Sequence, residues 1–506
     1  MARVLSILLA LAAAAAIWST ARVFSATVDE PAHLAAGMQW LTTDRYDFDI
    51  NHPPLGRIAA ALGPYLAGAR RAGTSDLYEE GVRILGTGDR FERMLALARR
   101  GELVFFLVLA FATWGLARRV VGETGAALAV FFVASNPNVL AHAGLATTDI
   151  AATATTTLAL LALLWLVEAP NFARAAVLGL AFGAAFASRF STIAFLGSAV
   201  MATYFVRGGV TRDWTLPKPP RGSRWTAVAI AAVTTLIVLC AVYRLNLPPM
   251  ADGIRSFLAH GERGHPAFLL GEASVRGWWY YYPVALLVKT PLPLLVLATI
   301  GASVAIASVH RREGWVRAVP LAAAIAMLAV SMTVHVDLGV RLVLAVYPLL
   351  AVCAAEGVLA LWRSTRQRAA AQAASVLLVL WSLTTVVRAH PDHLAYFNAL
   401  AGPQPERVLV DSNLDWGQDV YRLRDTLAAR GVRDTVLIAY FGTALPSATG
   451  IIPRSRVLGL RERATGWIAA SETYLAGEWV GHAYQWLLAY PPVARIGPSM
   501  RLWYIP

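Results

Sequence analysis

Long apolar runs dominate the hydrophobic pattern of this chain. A helix rises about 1.5 Å per residue, so roughly 20 apolar residues cross the ~30 Å hydrocarbon core of a bilayer. The pattern predicts about eleven such helices. They lie near residues 4–24, 102–117, 124–141, 149–167, 174–188, 190–206, 226–245, 283–309, 318–334, 340–361 and 370–387. The first run is longer than the usual apolar region of a signal peptide, which favours an uncleaved first helix.

The basic residues between these runs predict the orientation of the chain. Short cytoplasmic loops carry an excess of Lys and Arg. If the N-terminus is cytoplasmic, the basic loops all fall inside: ARRVVG (117–122), EAPNFAR (168–174), VRGGVTRDWTLPKPPRGSRW (206–225), VHRREGWVR (309–317) and WRSTRQR (362–368). Three long segments are then left outside, at about 25–101, about 246–282 and 389–506.

Composition agrees with a polytopic membrane protein. Hydrophobic residues make up 57% of the 506 positions and charged residues 15%. The net charge of +13 comes almost entirely from arginine, and we assign it to cytoplasmic loops and anionic membrane lipids. No basic stretch is interleaved with aromatic residues for base stacking, so nucleic acid is not an expected partner. Neither a Walker A, GxGxxG or HExxH motif nor a pair of CxxC motifs occurs.

The C-terminal segment, residues 389–506, is less hydrophobic and predicts a small external α/β domain. RVLVD (407–411) and DTVLIAYFG (434–442) have the pattern of strands, and residues 419–431 between them have the spacing of a helix that ends at Gly431. Residues 1–388 form the predicted membrane domain.

Within this segment, DSNLDWGQD (411–419) has acidic residues or Asn at alternate positions, as at the start of a calcium-binding loop. Trp416 stands where that loop needs glycine, and Arg422 where it needs a bidentate Glu. We therefore interpret the stretch as a turn before the helix.

Paired acids follow the first apolar run, in DEPAH (29–33). Asp29 and Glu30 precede Pro31, and His33 lies one helical turn after Asp29. Acids at this position also cap helices and complement the helix dipole, so a structural role stays open.

Two further polar stretches lie on the same predicted face. DFDINHPPLG (47–56) contains His52 and a double proline, which predicts a rigid turn before an amphipathic helix. NPNVLAHAGLATTD (136–149) places Asp149 at the external end of a membrane helix. A helix cap is again the structural alternative for Asp149.

The order of an apolar helix, DEPAH, HPPLG and ATTDIAAT resembles the GT-C glycosyltransferases of the protein O-mannosyltransferase and aminoarabinose transferase type. The stretches GWWYYYPVALLVKTPLPLL and HVDLGVRLVLAVYPLL, together with the tail, are similar to a bacterial, family 39-like subgroup. The resemblance implies an all-α polytopic GT-C fold of about eleven helices, with external amphipathic helices and the small α/β C-terminal domain.

The resemblance also implies an activity, the transfer of one sugar from a polyprenyl-phosphate donor to an acceptor hydroxyl on the external face. It assigns the catalytic carboxylates to Asp29, with Glu30 beside it, and to Asp149. Where aminoarabinose transferases have a Glu-Lys-Pro turn, this chain has Asn51-His52-Pro53. That departure leaves open whether a divalent metal is bound.

A departing lipid phosphate needs cations. Arg189 and Arg341 lie at predicted external helix ends, and Lys289 lies roughly 10 Å along a helix below the aromatic residues 278–282. The candidates for binding the donor phosphate are His52, Arg189, Lys289 and Arg341. His33, His335 and Asp337 are candidates for lining the substrate site. Structural ion pairs, or a lysine that reaches to the interface, are the alternatives.

A transporter or flippase of a lipid-linked or polar substrate is the alternative function. It would be expected to contain an internal repeat with broken helices, and no second copy of DEPAH or HPPL occurs. The expected location of the enzyme is the bacterial inner membrane, with the C-terminal domain periplasmic. The acceptor is left open as a protein, lipid or glycan.

Overall fold

Helices account for 63% of the residues that the structure describes. The computed structural model describes residues 1–215, 218–220, 222–312, 314–365 and 367–506. Three of the predicted basic loops include positions outside these described residues. Loop 206–225 includes positions 216, 217 and 221, loop 309–317 includes position 313, and loop 362–368 includes position 366.

The helices are α1 (Ala2–Thr20), α2 (Glu30–Thr42), α3 (Pro54–Leu66), α4 (Leu77–Leu85), α5 (Asp89–Gly101), α6 (Leu103–Ala134), α7 (Pro137–Ala143), α8 (Asp149–Glu168), α9 (Phe172–Phe186), α10 (Ser191–Thr211), α11 (Arg224–Val242), α12 (Pro248–Arg263), α13 (Tyr281–Lys289), α14 (Leu292–His310), α15 (Val319–Ser331), α16 (Val346–Arg363), α17 (Arg368–Ala389), α18 (Val420–Ala429) and α19 (Glu472–Ala476). The strands are β1 (Ala267–Leu269), β2 (Glu272–Ser274), β3 (Val436–Ala439), β4 (Ser455–Val457), β5 (Gly466–Ser471), β6 (Ala494–Ile496) and β7 (Met500–Ile505). Short 3-10 helices lie at Trp315–Ala318, Val340–Val343, Ala399–Ala401, Pro405–Arg407, Asp411–Asn413 and Gln485–Ala489.

Within the described residues, eight helical segments are long and apolar enough to cross a membrane. They are Ala2–Thr20, Asp89–Ala134, Asp149–Glu168, Ser191–Thr211, Arg224–Val242, Leu292–His310, Val346–Arg363 and Arg368–Ala389. Phe172–Phe186 and Trp315–Ser331 are apolar but shorter. The count of eleven membrane helices therefore stays a prediction, whereas the mainly helical membrane fold is confirmed.

Backbone breaks explain where the predicted spans differ from the helices. The predicted spans 102–117 and 124–141 are separated within α6 at Gly122, and the second extends past Ala134 into α7. Gly122 has φ 80° and ψ −176°. Only glycine adopts this conformation readily. The predicted span 283–309 is divided at Thr290, because Pro291 lacks an N–H and disfavours a helical conformation in the residue before it.

The membrane helices pack around a core to which α6, α8, α14 and α16 contribute. Glycine permits the closest approach, between α14 and α16. A Cβ atom on Gly301 would lie 1.8 Å from the Cys353 carbonyl oxygen, and one on Gly357 would lie 2.1 Å from the Leu297 carbonyl oxygen. Such contacts between small residues are typical of helices packed within a membrane, where apolar burial adds little driving force.

A second core joins the first external segment to the C-terminal region. Buried Leu34, Phe91 and Met94 of α2 and α5 pack in the same cluster as Leu423 of α18 and Leu502 of β7. The amphipathic helices predicted after the first span are therefore covered by the tail. The sheet itself has the order β4-β3-β5-β7-β6. Strand β3 is parallel to β4 and β5, and β7 is antiparallel to β5 and β6.

The strand predicted at RVLVD (407–411) is wrong. Residues Pro405–Arg407 and Asp411–Asn413 form 3-10 turns, and the Val408 carbonyl accepts a backbone hydrogen bond from Leu270 of the β1–β2 turn. Leu409 and Val410 are buried, so their apolar pattern reflects packing beside the membrane helices. The predicted strand at 434–442 and the helix before it are present as β3 and α18.

Candidate active site

Asp29 stands at the start of α2, at the N-cap position, but its carboxylate does not cap the helix. Its Oδ2 instead accepts a hydrogen bond of 2.8 Å from Nη1 of Arg341, which lies in the 3-10 turn before α16. The Asp29 side chain is 25% exposed and that of Arg341 8%. Asp29 therefore makes no capping hydrogen bond, although its charge lies at the N-terminus of α2, and its side chain is partly accessible.

Asp149 is the first residue of α8 and is also paired with an arginine. Arg189, in the turn between α9 and α10, donates from Nη1 to Oδ1 of Asp149, and Thr147 donates to Oδ2 at 2.9 Å. The Asp149 side chain is only 1% exposed. Asp29 and Asp149 are thus each paired with an arginine, but only the Asp29 side chain is partly exposed to solvent.

Trp416 joins these two pairs. The guanidinium carbon of Arg341 lies 4.3 Å from the centroid of the Trp416 ring, a cation–π contact. His142 of α7 packs against the same ring with its centroid 6.2 Å away, and its Nδ1 lies 3.8 Å from Oδ2 of Asp149. We call Asp29, Arg341, Trp416, His142, Asp149 and Arg189 the carboxylate–arginine cluster.

Sequence analysis missed two members of this cluster. His142 lies seven residues before Asp149 in the stretch that was already selected for its aspartate. Trp416 lies in DSNLDWGQD, which was compared only with a calcium loop. The signal available in the sequence was the presence of a tryptophan among the polar residues of this predicted turn.

His33 and His52 lie beside the cluster and are held by Arg57 of α3. Arg57 Nε donates to Nδ1 of His33 at 3.0 Å, and Arg57 also forms a buried ion pair with Asp49. The His33 and His52 rings pack edge to face with centroids 5.3 Å apart. The turn predicted at the double proline therefore brings both predicted histidines together. Arg57 was not predicted.

The charge state of these histidines follows from their surroundings. Burial, and then the Arg57 guanidinium, holds the pKa of the His33 imidazole well below its usual range. The same two causes lower the pKa of His52. Both rings are therefore neutral at pH 7, and His52 would meet a phosphate as a neutral hydrogen-bond donor, not as a cation.

Glu30 is separated from Asp29 although the two are adjacent in sequence. Arg99 of α5 holds both carboxylate oxygens of Glu30, each at 2.7 Å. The backbone N–H groups of Thr27 and Ala146 also donate to it, both at 2.9 Å. The Glu30 and Arg99 side chains are each 1% exposed. This geometry gives Glu30 a structural role and does not support the catalytic role predicted for it.

Lys289 likewise donates its hydrogen bonds to groups outside the cluster. Its ammonium group donates to the carbonyl oxygens of Leu394 at 2.7 Å and Asn413 at 2.6 Å, and it lies 4.4 Å from the Phe397 ring centroid. The side chain is fully buried. Lys289 therefore neither reaches to the interface nor presents a free charge to a phosphate. It anchors the segment that carries Trp416.

His335 and Asp337 contact the external segment before α13. Nδ1 of His335 lies 2.9 Å from the Arg276 carbonyl oxygen, and Oδ2 of Asp337 accepts a hydrogen bond of 2.8 Å from the Trp278 N–H. Burial raises the pKa of Asp337 to about 6. The described contacts place both residues against residues 276–278 and not against Asp29 or Asp149.

The residues of the cluster do not fit a divalent metal. Among the described residues, no three His, Cys, Asp or Glu side chains come together in a way that could hold an ion. Asp29 and Asp149 are each turned toward a guanidinium group, which would repel a metal. We therefore derive no catalytic step through a metal.

Replacing Glu30 with Gln is expected to destabilise the protein by about 3–5 kcal/mol, because it leaves the Arg99 charge buried without its partner. The apparent melting temperature of the purified variant in detergent measures this loss. Glu79→Gln is the matched control. Glu79 pairs with Arg83 on the surface, with side chains 51% and 57% exposed, and such pairs contribute about 0–1 kcal/mol. A Glu30→Gln variant that melts like the wild type but has lost its activity would restore the catalytic assignment.

Comparison with known proteins agrees with this architecture. Residues 95–243, which include Asp149 and Arg189, match the sequence model of the dolichyl-phosphate-mannose-protein mannosyltransferase family. The crystal structure of ArnT from Cupriavidus metallidurans bound to undecaprenyl phosphate superposes with a TM-score of 0.53 at 15% identity, over 98% of this chain and 97% of that one. The chain has the GT-C fold. The resemblance to GT-C glycosyltransferases found in the sequence is thereby confirmed, while the bacterial subgroup stays a prediction.

A second GT-C structure gives the same result. The apo crystal structure of the Archaeoglobus fulgidus oligosaccharyltransferase superposes with a TM-score of 0.52 at 11% identity, over 95% of this chain and 72% of that one. The same enzyme tethered to an acceptor peptide that contains the NVT sequon superposes at 0.50, with 10% identity, over 89% and 63%. No curated protein sequence matches the chain.

Proposed function

We propose that this protein is a membrane glycosyltransferase that moves one sugar from a polyprenyl-phosphate donor to an acceptor hydroxyl on the external face of the membrane. The observation that carries the proposal is the accessible Asp29 carboxylate, paired with Arg341 beside the Asp149–Arg189 pair, on a GT-C fold. The donor class is supported by the undecaprenyl phosphate bound to ArnT. A transporter or flippase is not favoured, because the matching structures are glycosyltransferases.

The reaction assigns separate tasks to the two aspartates. The acceptor oxygen attacks the anomeric carbon of the donor sugar, the bond from that carbon to the phosphate oxygen breaks, and the hydroxyl proton must be accepted by a base. Asp29 can reach an acceptor because a quarter of its side chain is exposed. Asp149 is enclosed by Arg189 and Thr147. We therefore assign the role of the base to Asp29. Asp149 has the role of positioning Arg189.

The arginines stabilise the leaving group. As the glycosidic bond breaks, the lipid phosphate gains one negative charge, and preorganised guanidinium groups stabilise that charge more strongly in a dry site than in water. Arg341, which is stacked on Trp416, and Arg189 are the cations of the cluster. His52 would add a neutral N–H donor.

Donor binding also changes the state of Asp29. In the structure, the hydrogen bond from Arg341 occupies Oδ2 of Asp29. A phosphate that takes the hydrogen bonds of Arg341 releases Asp29 at the moment a donor is present. Oδ2 of Asp29 would then be free to accept a hydrogen bond from the acceptor hydroxyl.

The proposal includes an orientation in the bacterial inner membrane, with residues 25–101 and 389–506 external. Their shared hydrophobic core supports a common side. The acceptor is a hydroxyl of a protein, a lipid or a cell-envelope glycan.

Single cysteines test this orientation. In a chain with Cys240→Ser and Cys353→Ala, we expect Asp434→Cys to react with a membrane-impermeant maleimide in intact spheroplasts. Lys218→Cys is expected to react only after the membrane is permeabilised, because basic loops stay cytoplasmic. Labelling of both positions in intact spheroplasts would refute the orientation.

The activity itself is tested with membranes that contain the protein. They are mixed with a panel of radiolabelled undecaprenyl-phosphate sugars, and release of undecaprenyl phosphate together with label on the acceptor is measured. Release that depends on the protein supports a transferase. Movement of intact donor across sealed vesicles without release would support a transporter and overturn the proposal.

A further inference from the structure

A groove on the membrane-facing surface lies far from the carboxylate–arginine cluster. It has a volume of about 580 Å³ and is lined by residues of α6, α8 and α9. Its walls on α8 run from Leu158 to Glu168. Trp165 lies sixteen residues after Asp149 in α8, which is about 24 Å along the helix axis. The groove therefore opens at the opposite end of the membrane helices from Asp149.

The floor of the groove is apolar and open to the outside. Phe111 of α6 is 59% exposed and Val177 of α9 is 37% exposed. Gly115 keeps the floor deep, because a Cβ atom there would lie 2.6 Å from Cδ2 of Leu161. This apolar surface faces the region that the acyl chains of a bilayer occupy.

Arginines and tryptophans line the end of the groove near the helix termini. Arg118 lies 5.3 Å from the centroid of the Trp114 ring, and Arg174 lies 4.7 Å from that of Trp165. Tryptophan is enriched at the boundary between hydrocarbon and headgroups. This end of the groove is therefore at headgroup depth.

Positive charge exceeds negative charge at this end. The arginines are Arg3, Arg118, Arg119 and Arg174, and the acids paired with them are Glu123 and Glu168. Four positive and two negative charges leave a net charge of +2. Arg174 donates to the backbone carbonyls of Trp165 and Ala169, so these contacts do not neutralise it.

The ion pairs at this end are open to exchange. The Arg118 side chain is 47% exposed and Glu123 40%, and Arg119 and Glu168 are each 29% exposed. Pairs with this exposure contribute little to stability, so a phosphate can compete for the guanidinium groups.

We propose that this groove binds a membrane phospholipid with an anionic headgroup. One acyl chain lies on the floor formed by Phe111, Gly115 and Leu158, and the headgroup phosphate is bound by Arg118 and Arg119. The site goes beyond the proposed transfer reaction, because it lies at the opposite membrane surface from Asp29. Basic pockets between membrane helices are suited to such headgroups.

Binding of dioleoylphosphatidylglycerol to the purified protein in detergent, counted by native mass spectrometry, tests the site. Dioleoylphosphatidylcholine serves as the zwitterionic reference. We expect the wild type to bind phosphatidylglycerol at least tenfold more tightly, and the double variant Arg118→Gln, Arg119→Gln to lose roughly tenfold or more in affinity.

The double variant Arg311→Gln, Arg312→Gln is the matched control. It removes an adjacent pair of exposed arginines at the end of α14, outside the groove, and should bind phosphatidylglycerol within twofold of the wild type. Leu158→Trp fills the floor while it keeps all arginines, and it should also weaken binding. Each variant is first matched to the wild type in melting temperature. Equal losses in the two double variants, or unchanged binding in Leu158→Trp, would overturn the proposal.

Discussion

Asp29→Asn is expected to lower the rate of sugar transfer by about 10² to 10⁴. Asparagine keeps the shape of the side chain and suits the N-cap position of α2, but its amide cannot accept the proton of the acceptor hydroxyl. The loss should therefore appear in turnover, while folding and donor binding persist. Transfer by the purified variant is measured at saturating donor, with binding of undecaprenyl phosphate measured alongside.

Asp76→Asn is the matched control for this experiment. Asp76 also occupies an N-cap in the external segment, before α4, and its carboxylate accepts a hydrogen bond from the Glu79 N–H. Asparagine replaces such a cap with little loss, so this variant should keep wild-type turnover. Near-normal turnover by Asp29→Asn would remove Asp29 from the chemistry. Asp149→Asn should be impaired less, because Asp149 acts through Arg189.

Arg341→Gln is expected to weaken binding of undecaprenyl phosphate by roughly ten- to a hundredfold. Charge-assisted hydrogen bonds contribute about 1.5–3 kcal/mol each, which corresponds to this range of affinity. Equilibrium binding to the purified variant measures the effect. The position also orders the cluster through Trp416, so melting temperature is measured to confirm that the variant is folded.

Arg244→Gln is the control for Arg341. Arg244 makes the same kinds of contact, since it lies 4.0 Å from the Trp40 ring centroid and pairs with Asp44 at 2.7 Å. It is one-third exposed and lies outside the cluster. Its variant should bind donor phosphate as the wild type does. Equal affinities of the Arg341→Gln and wild-type proteins would place the phosphate elsewhere.

The membrane helices could be predicted because apolar length is a local property of the sequence. Local backbone chemistry also predicts two helix starts closely, since α2 begins at Glu30, one residue before Pro31, and α3 begins at Pro54, the second residue of the double proline. Breaks inside apolar runs were harder to locate. The break at Gly122 falls in the predicted basic loop 117–122, whereas the break at Thr290 lies inside the predicted span 283–309 and was not predicted.

The partners of the charged residues could not be predicted, because they come from distant parts of the chain. Asp29 and Glu30 are neighbours, yet one pairs with Arg341 and the other with Arg99. Lys289 meets carbonyl oxygens from the C-terminal region, and no sequence spacing indicates such contacts. Burial at RVLVD produced a strand-like pattern in a segment that forms turns.

The same limit applies to Trp416 and His142. Each side chain is apolar or neutral on its own, and its role follows from what it contacts. The sequence could identify the acids that a transferase needs, whereas the tertiary structure selects which of them is accessible.

A density map of the protein with bound undecaprenyl phosphate tests the central claim most directly. The account predicts that the phosphate lies within about 3 Å of a guanidinium nitrogen of Arg341, near Arg189, and that Asp29 no longer pairs with Arg341. A phosphate bound away from Arg341, with the Asp29–Arg341 pair intact, would contradict it.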